Sequence, residues 1–156
     1  MIVLNAQVPV VEQLAFGHDG RRLYAAGMWF GNRQFQRANH GIDVWNLSGQ
    51  PGPAPRLLPD RVVNGFVVNP AGKWLYASAD QYVLRDGGTI DSGYFAIDLA
   101  TGQATPLGLT PYPRQLAISP SGDWLIGCGC VDHDWSDTRV VRWRQPSNSP
   151  PEPERE

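Results

Sequence analysis

The sequence predicts an all-β protein built from a repeated four-stranded antiparallel unit, and three observations carry that prediction. A ten-residue phrase occurs three times, as LAFGHDGRRL from Leu14, FVVNPAGKWL from Phe66 and LAISPSGDWL from Leu116. The glycines that anchor it, Gly20, Gly72 and Gly122, lie 52 and 50 residues apart, a spacing at which one supersecondary unit repeats. Turn formers, 17 Gly and 14 Pro, are spread over all 156 residues with short apolar runs between them, as in chains of many short strands.

The elements follow in chain order. Ile2-Val3-Leu4 is a spare short strand ahead of the first repeat. Each repeat then opens on a strand: Gln13 to Phe16, Gly65 to Val68, Gln115 to Ile118. A tight turn comes next, Gly17-His18-Asp19-Gly20, Asn69-Pro70-Ala71-Gly72 or Ser119-Pro120-Ser121-Gly122. Proline in second place suits the fixed φ of a type I turn, and glycine follows where φ turns positive. Second strands are expected at Arg22 to Ala26, Trp74 to Ser78 and Trp124 to Cys128. Long polar connections lead to third strands at Ile42 to Leu47, Tyr94 to Leu99 and Val140 to Trp143. Short fourth strands are expected at Arg56 to Leu58 and Ala104 to Leu107. The third repeat has no obvious fourth strand. After Trp143 the chain reads RQPSNSPPEPERE, too rich in proline to pair as a sheet and expected to be disordered. The repeats thus cover about residues 8–58, 60–108 and 111–144, in one segment 1–145 with a Pro/Glu-rich tail 146–156.

These units resemble the blades of β-propellers, and specifically of the WD40-repeat family. The turns echo the S-P-D-G pattern of bacterial members, and Val44-Trp45-Asn46-Leu47-Ser48-Gly49 is similar to the family's V-W-D-L-x-T-G strand end. Phe95 to Gly102 keeps the Asp and the T-G but has Ile97 for Trp, and Trp143 is followed by Arg144 where Asp belongs. The Gly-His pair expected before each blade is missing. The resemblance covers residues 8 to 144 and implies a partial propeller of three blades. It further implies a non-catalytic scaffold for protein–protein interaction, with no cofactor and an unnamed protein partner.

Three blades do not close a ring, so apolar side chains such as Phe16, Leu23, Trp45, Leu116 and Trp143 are expected on uncovered end faces. Two readings follow. Two chains pair head to tail as a six-bladed homodimer, residues 1–5 of each serving as closing strand for the other's third blade, or the chain is a piece of a longer propeller.

Binding is expected on the long connections between second and third strands, which leave one side of the ring. They carry Trp29, Phe30, Arg33, Phe35 and Arg37, then Tyr82 and Arg85, then Trp135, the aromatic and arginine mixture of interface anchors.

No metal is expected. CGCVDHD gathers Cys128, Cys130 and His133, but zinc needs a second ligand pair and none exists. In the repeat alignment Cys128 takes the small-residue place of Ala26 and Ser78. The two cysteines sit about 6.5 Å apart on a strand, too far for an unstrained disulfide. Asp132, Asp134 and Asp137 miss the calcium-loop pattern. His18 and His40, both at turns, read as surface residues.

Catalysis is not expected either. The sequence has no G-x-S-x-G, P-loop or G-x-G-x-x-G. Among the residues lining the channel, Gln13, Asn64, Arg114 and Gln115 are joined by a single carboxylate, Glu12. The alternative is a propeller enzyme or metal-dependent binder whose site forms only on assembly, or a fragment with no function of its own.

A formal net charge of −2 with no dense basic run excludes nucleic acid and anionic membrane as default partners. The N-terminus lacks a basic segment and a long apolar run, so a cytoplasmic location is expected.

Overall fold

A computed structural model of the chain describes residues 4, 11–27, 41–48, 56–80, 92–109, 113–130, 138–144 and 152–153. They form three antiparallel sheets and no helix. The first holds β1 (Gln13–Phe16), β2 (Arg22–Ala26) and β3 (Asp43–Asn46). The second holds β4 (Val62–Val68), β5 (Trp74–Asp80), β6 (Gly93–Asp98) and β7 (Ala104–Leu109). In the third, β8 (Pro113–Ile118), β9 (Trp124–Cys130), β10 (Thr138–Arg144) and β11 (Glu152–Pro153) pair in that order.

The three hairpins that start the sheets have one geometry. The amides of Gly20, Gly72 and Gly122 donate to Gly17, Asn69 and Ser119 carbonyls at 2.9, 2.8 and 2.8 Å. At all three glycines φ is positive, 66°, 72° and 81°, which is why glycine recurs there.

The sheets stack face to face and approach most closely along their first strands, β1 on β4 and β4 on β8. Strand alternation sends the two faces of the second sheet into two separate cores. Leu75, Ala77, Ala79, Phe95 and Ile97 pack with Tyr24, Ile42 and Val44 of the first sheet. Tyr76, Tyr94 and Ala96 pack with Leu125 and Trp143 of the third. Tyr94 and Trp143 meet edge to face, ring centroids 5.0 Å apart. A partly buried ion pair, Arg56 Nε to Asp43 Oδ1 at 2.8 Å, pins the segment after the first sheet.

Several sequence expectations need correction. The Arg56-to-Leu58 strand is a single bridge, Ile42 to Leu57. In the tail, Glu152 and Pro153 do pair, with Arg144 and Trp143. An edge strand tolerates proline because one side of it makes no ladder. That edge of the third sheet is where residues 1–5 of a second chain were expected. Phe16 is 65% exposed as expected, but Trp45 and Trp143 are buried. Trp143 stands opposite Leu125 in register and so faces the second sheet rather than outward. Leu116 and Ile118 face it too and pack against the same core. Among the described residues no helix is long and apolar enough to cross a membrane.

Candidate functional site on the inner strands

A polar junction lies between β4, β5 and β8. It begins with an irregularity: Val63 pairs with Ala79 and Gly65 with Ser78, so Asn64 is an extra residue in β4. Such a bulge re-aims its side chain. Asn64 Nδ2 reaches both the Asp80 carboxylate (Oδ2, 2.8 Å) and the Pro113 carbonyl (2.9 Å), tying the second sheet to the third. Next to it the Ser78 hydroxyl lies 2.5 Å from the Arg114 carbonyl and 3.2 Å from that of Gly65. The approach is close at position 65, where a Cβ would stand 3.1 Å from the Arg114 carbonyl oxygen and would need it to shift by a few tenths of an ångström.

Asp80 is 9% exposed and its buried Oδ1 has no hydrogen-bond partner among the described residues, nor has the hydroxyl of Ser92, 3% exposed. The β5–β6 ladder ends at the pair Ala79 and Gly93, and Asp80 and Ser92 are the next residues along the two strands. A half-satisfied carboxylate and a free hydroxyl at one buried strand end can exchange protons with a small molecule or polarise it. Tyr94, across from Ser78 in register, walls the junction. Burial, and then the nearby Cys128, push its phenol well above the ordinary range, with the Arg114 backbone pulling the other way.

The other junction is held differently. Gln13 of β1 clasps Phe66 of β4 at both ends, its amide Nε2 donating to the Phe66 carbonyl at 2.5 Å and its Oε1 accepting the Phe66 N–H at 2.9 Å. At the opposite, hairpin-turn ends of the strands, a cleft of about 230 Å³ opens between the first two sheets, lined by His18, Asp19, Arg22, Tyr24 and Leu99 among others. Its charged groups are engaged locally: Arg22 Nη1 donates to the Leu99 carbonyl and Asp19 accepts the Arg21 N–H.

Of the residues expected to bind, Trp29, Phe30, Arg33, Phe35, Arg37, Tyr82, Arg85 and Trp135 lie outside the described residues, as does His133. Cys128 and Cys130 are free thiols, half-buried and buried. Cys130 Sγ lies 4.0 Å from the Thr138 hydroxyl. Among the described residues no group of three or more His, Cys, Asp or Glu gathers to hold a metal. Sequence reasoning had found Asn64 and Arg114 but not Asp80 or Ser92, which it placed at the ends of a connection. The signal was available, since position 80 continues the alternation of Tyr76 and Ser78 and its partner position is 92.

No family model matches the sequence, and no protein of curated function does. Solved structures do match in fold. The chain is similar to part of the tricorn protease, with a TM-score of 0.61 and 10% identity over 90% of this chain and 14% of that one. A putative 6-phosphogluconolactonase from Bacteroides uniformis gives 0.55 and 18% identity over 92% and 38%. An oligogalacturonate lyase in complex with manganese gives 0.53 and 14% over 80% and 30%. The chain therefore spans well under half the length of each of these proteins. Its fold is all-β and of β-propeller type.

One expectation is overturned here. The sequence argued against an enzyme, yet this fold is shared with a protease, a putative lactonase and a lyase. The lack of a catalytic motif excludes little in such a fold, because residues that share a junction, such as Asn64, Asp80 and Pro113, come from different strands and form no contiguous signature.

Proposed function

We propose that the chain forms three WD40-like blades of a propeller enzyme, hydrolytic in class, whose site centres on Asp80 and is completed when further blades assemble beside it. The observation that carries this reading is the buried Asp80 carboxylate, held through one oxygen by a bulged Asn64 while its other oxygen has no partner among the described residues. Asn64 fixes the plane of the carboxylate. Oδ1 then accepts a proton from a water molecule as general base, and Ser92 donates a hydrogen bond to the oxygen that gains charge. Lactones and esters are the first substrates to try, since a lactonase name occurs among the proteins that share the fold.

The test is hydrolysis of a panel of lactones and activated esters by the wild type and by Asp80→Asn, with thermal unfolding followed in parallel. The isosteric change keeps the Asn64 contact and removes the base. Turnover should fall by about 100-fold or more with the unfolding midpoint little changed. Full activity in the variant, or no turnover by the wild type on any member of the panel, counts against the reading.

A further inference from the structure

The stack ends in two open faces, and they are the two halves of one joint. Leu14 and Phe16 lie on the outward face of the first sheet, 59% and 65% exposed. Their equivalents in the second repeat, Phe66 and Val68, pack into the core shared with the first sheet. Those in the third, Leu116 and Ile118, pack against the second sheet. At the far end, Trp124, Ile126 and Val140 are 36%, 44% and 70% exposed. Their register places them where the second sheet has Trp74, Tyr76 and Tyr94, the residues that meet the sheet after it.

The polar clasp is repeated as well. Gln115 stands in its repeat where Gln13 stands in the first, and it is exposed on the outward face of β8. Gln13 holds the backbone of Phe66, one repeat onward. The residue that corresponds to Phe66 one repeat beyond Gln115 is Leu14 of another copy.

We infer that a second copy of this chain seats on these faces head to tail, Leu14 and Phe16 of one entering against Trp124, Ile126 and Val140 of the other, with Gln115 clasping the Leu14 backbone. A self-complementary pair of unlike faces makes a heterologous contact, which closes only if the rotation allows. Two copies of three sheets close here as a six-sheet ring. The inference does not depend on the enzymatic reading, because it is tested by mass.

The experiment is light scattering on a size-exclusion column over a concentration series of the 156-residue chain and its variants. The wild type should show twice the 17.2 kDa chain mass. Leu14→Glu and Ile126→Glu, both changes at exposed sites, should each raise the dissociation constant about tenfold or more, with Gln115→Ala smaller in the same direction. Mixing the two glutamate variants restores a dimer, since one intact face remains on each. A monomer at every concentration overturns the pairing, and so does a dimer indifferent to Leu14→Glu and Ile126→Glu. Failure of the mixture to recover overturns the head-to-tail arrangement, and a ladder of masses overturns closure at two copies.

Discussion

Gly127 faces the edge-on pair of Tyr94 and Trp143, and a Cβ added there would stand 2.8 Å from two atoms of the tyrosine ring and 3.1 Å from the indole. Neither ring can retreat, because Tyr94 and Trp143 are both buried between sheets. Gly127→Ala should therefore destabilise the fold by about 1–3 kcal/mol, read as a lower denaturant midpoint with an unchanged slope. At this scale the sequence was only partly legible. The strand from Trp124 to Cys128 is legible, but the need for glycine at 127 is not, because the rings that crowd it come from positions 94 and 143. Asp80 stayed hidden for the same reason. The strand was expected to end at Ser78 and runs on to Asp80, and the role of Asp80 depends on Asn64 and Pro113, aligned by a bulge that leaves no mark in composition.

Among elements, the three opening hairpins were legible almost residue by residue, since a turn that needs a positive φ selects glycine in a fixed place. The β6–β7 turn shows how such a connection is held. The Asp98 side chain accepts the N–H groups of Ala100 and Thr101 at 2.8 and 3.1 Å, and these bonds hold its carboxyl below the ordinary value of 3.8. A depressed folded value stabilises the fold at pH above the unfolded carboxylate's range, and that support is lost as pH falls through the folded value. The wild type should lose melting temperature below about pH 4 by more than Asp98→Asn does in the same acid series. Asn46 makes the matching contact in the first repeat, accepting the Ser48 N–H at 3.0 Å, with nothing to titrate. Elements without such local grammar were read less well. The strand expected at Arg56 to Leu58 shrank to one bridge, and Glu152–Pro153 joined an edge that its prolines argued against.

For the molecule as a whole, repetition made the stack legible and parity decided its details. Trp45 and Trp143 are expected on open faces because three blades leave two end faces uncovered, yet both are buried and register turns Trp143 inward. The stack also sets an order of protection. The second sheet is covered on both faces: Leu75, Tyr76, Ala77, Ser78 and Ala79 are all 0% exposed, and each outer sheet leans on it through one face only. In a stack whose stability is a sum of unit and nearest-neighbour contributions, the centre opens only after an end has frayed. Amide hydrogen exchange should be slowest in β5 and β6, with the amides of β1 and β10 exchanging through smaller openings. Uniform exchange across all three sheets would mean that they unfold as one unit. If the gradient holds, the chain behaves as a short spring clamped in the middle, and a force applied at either end would peel a sheet away before it disturbed the junction around Asp80.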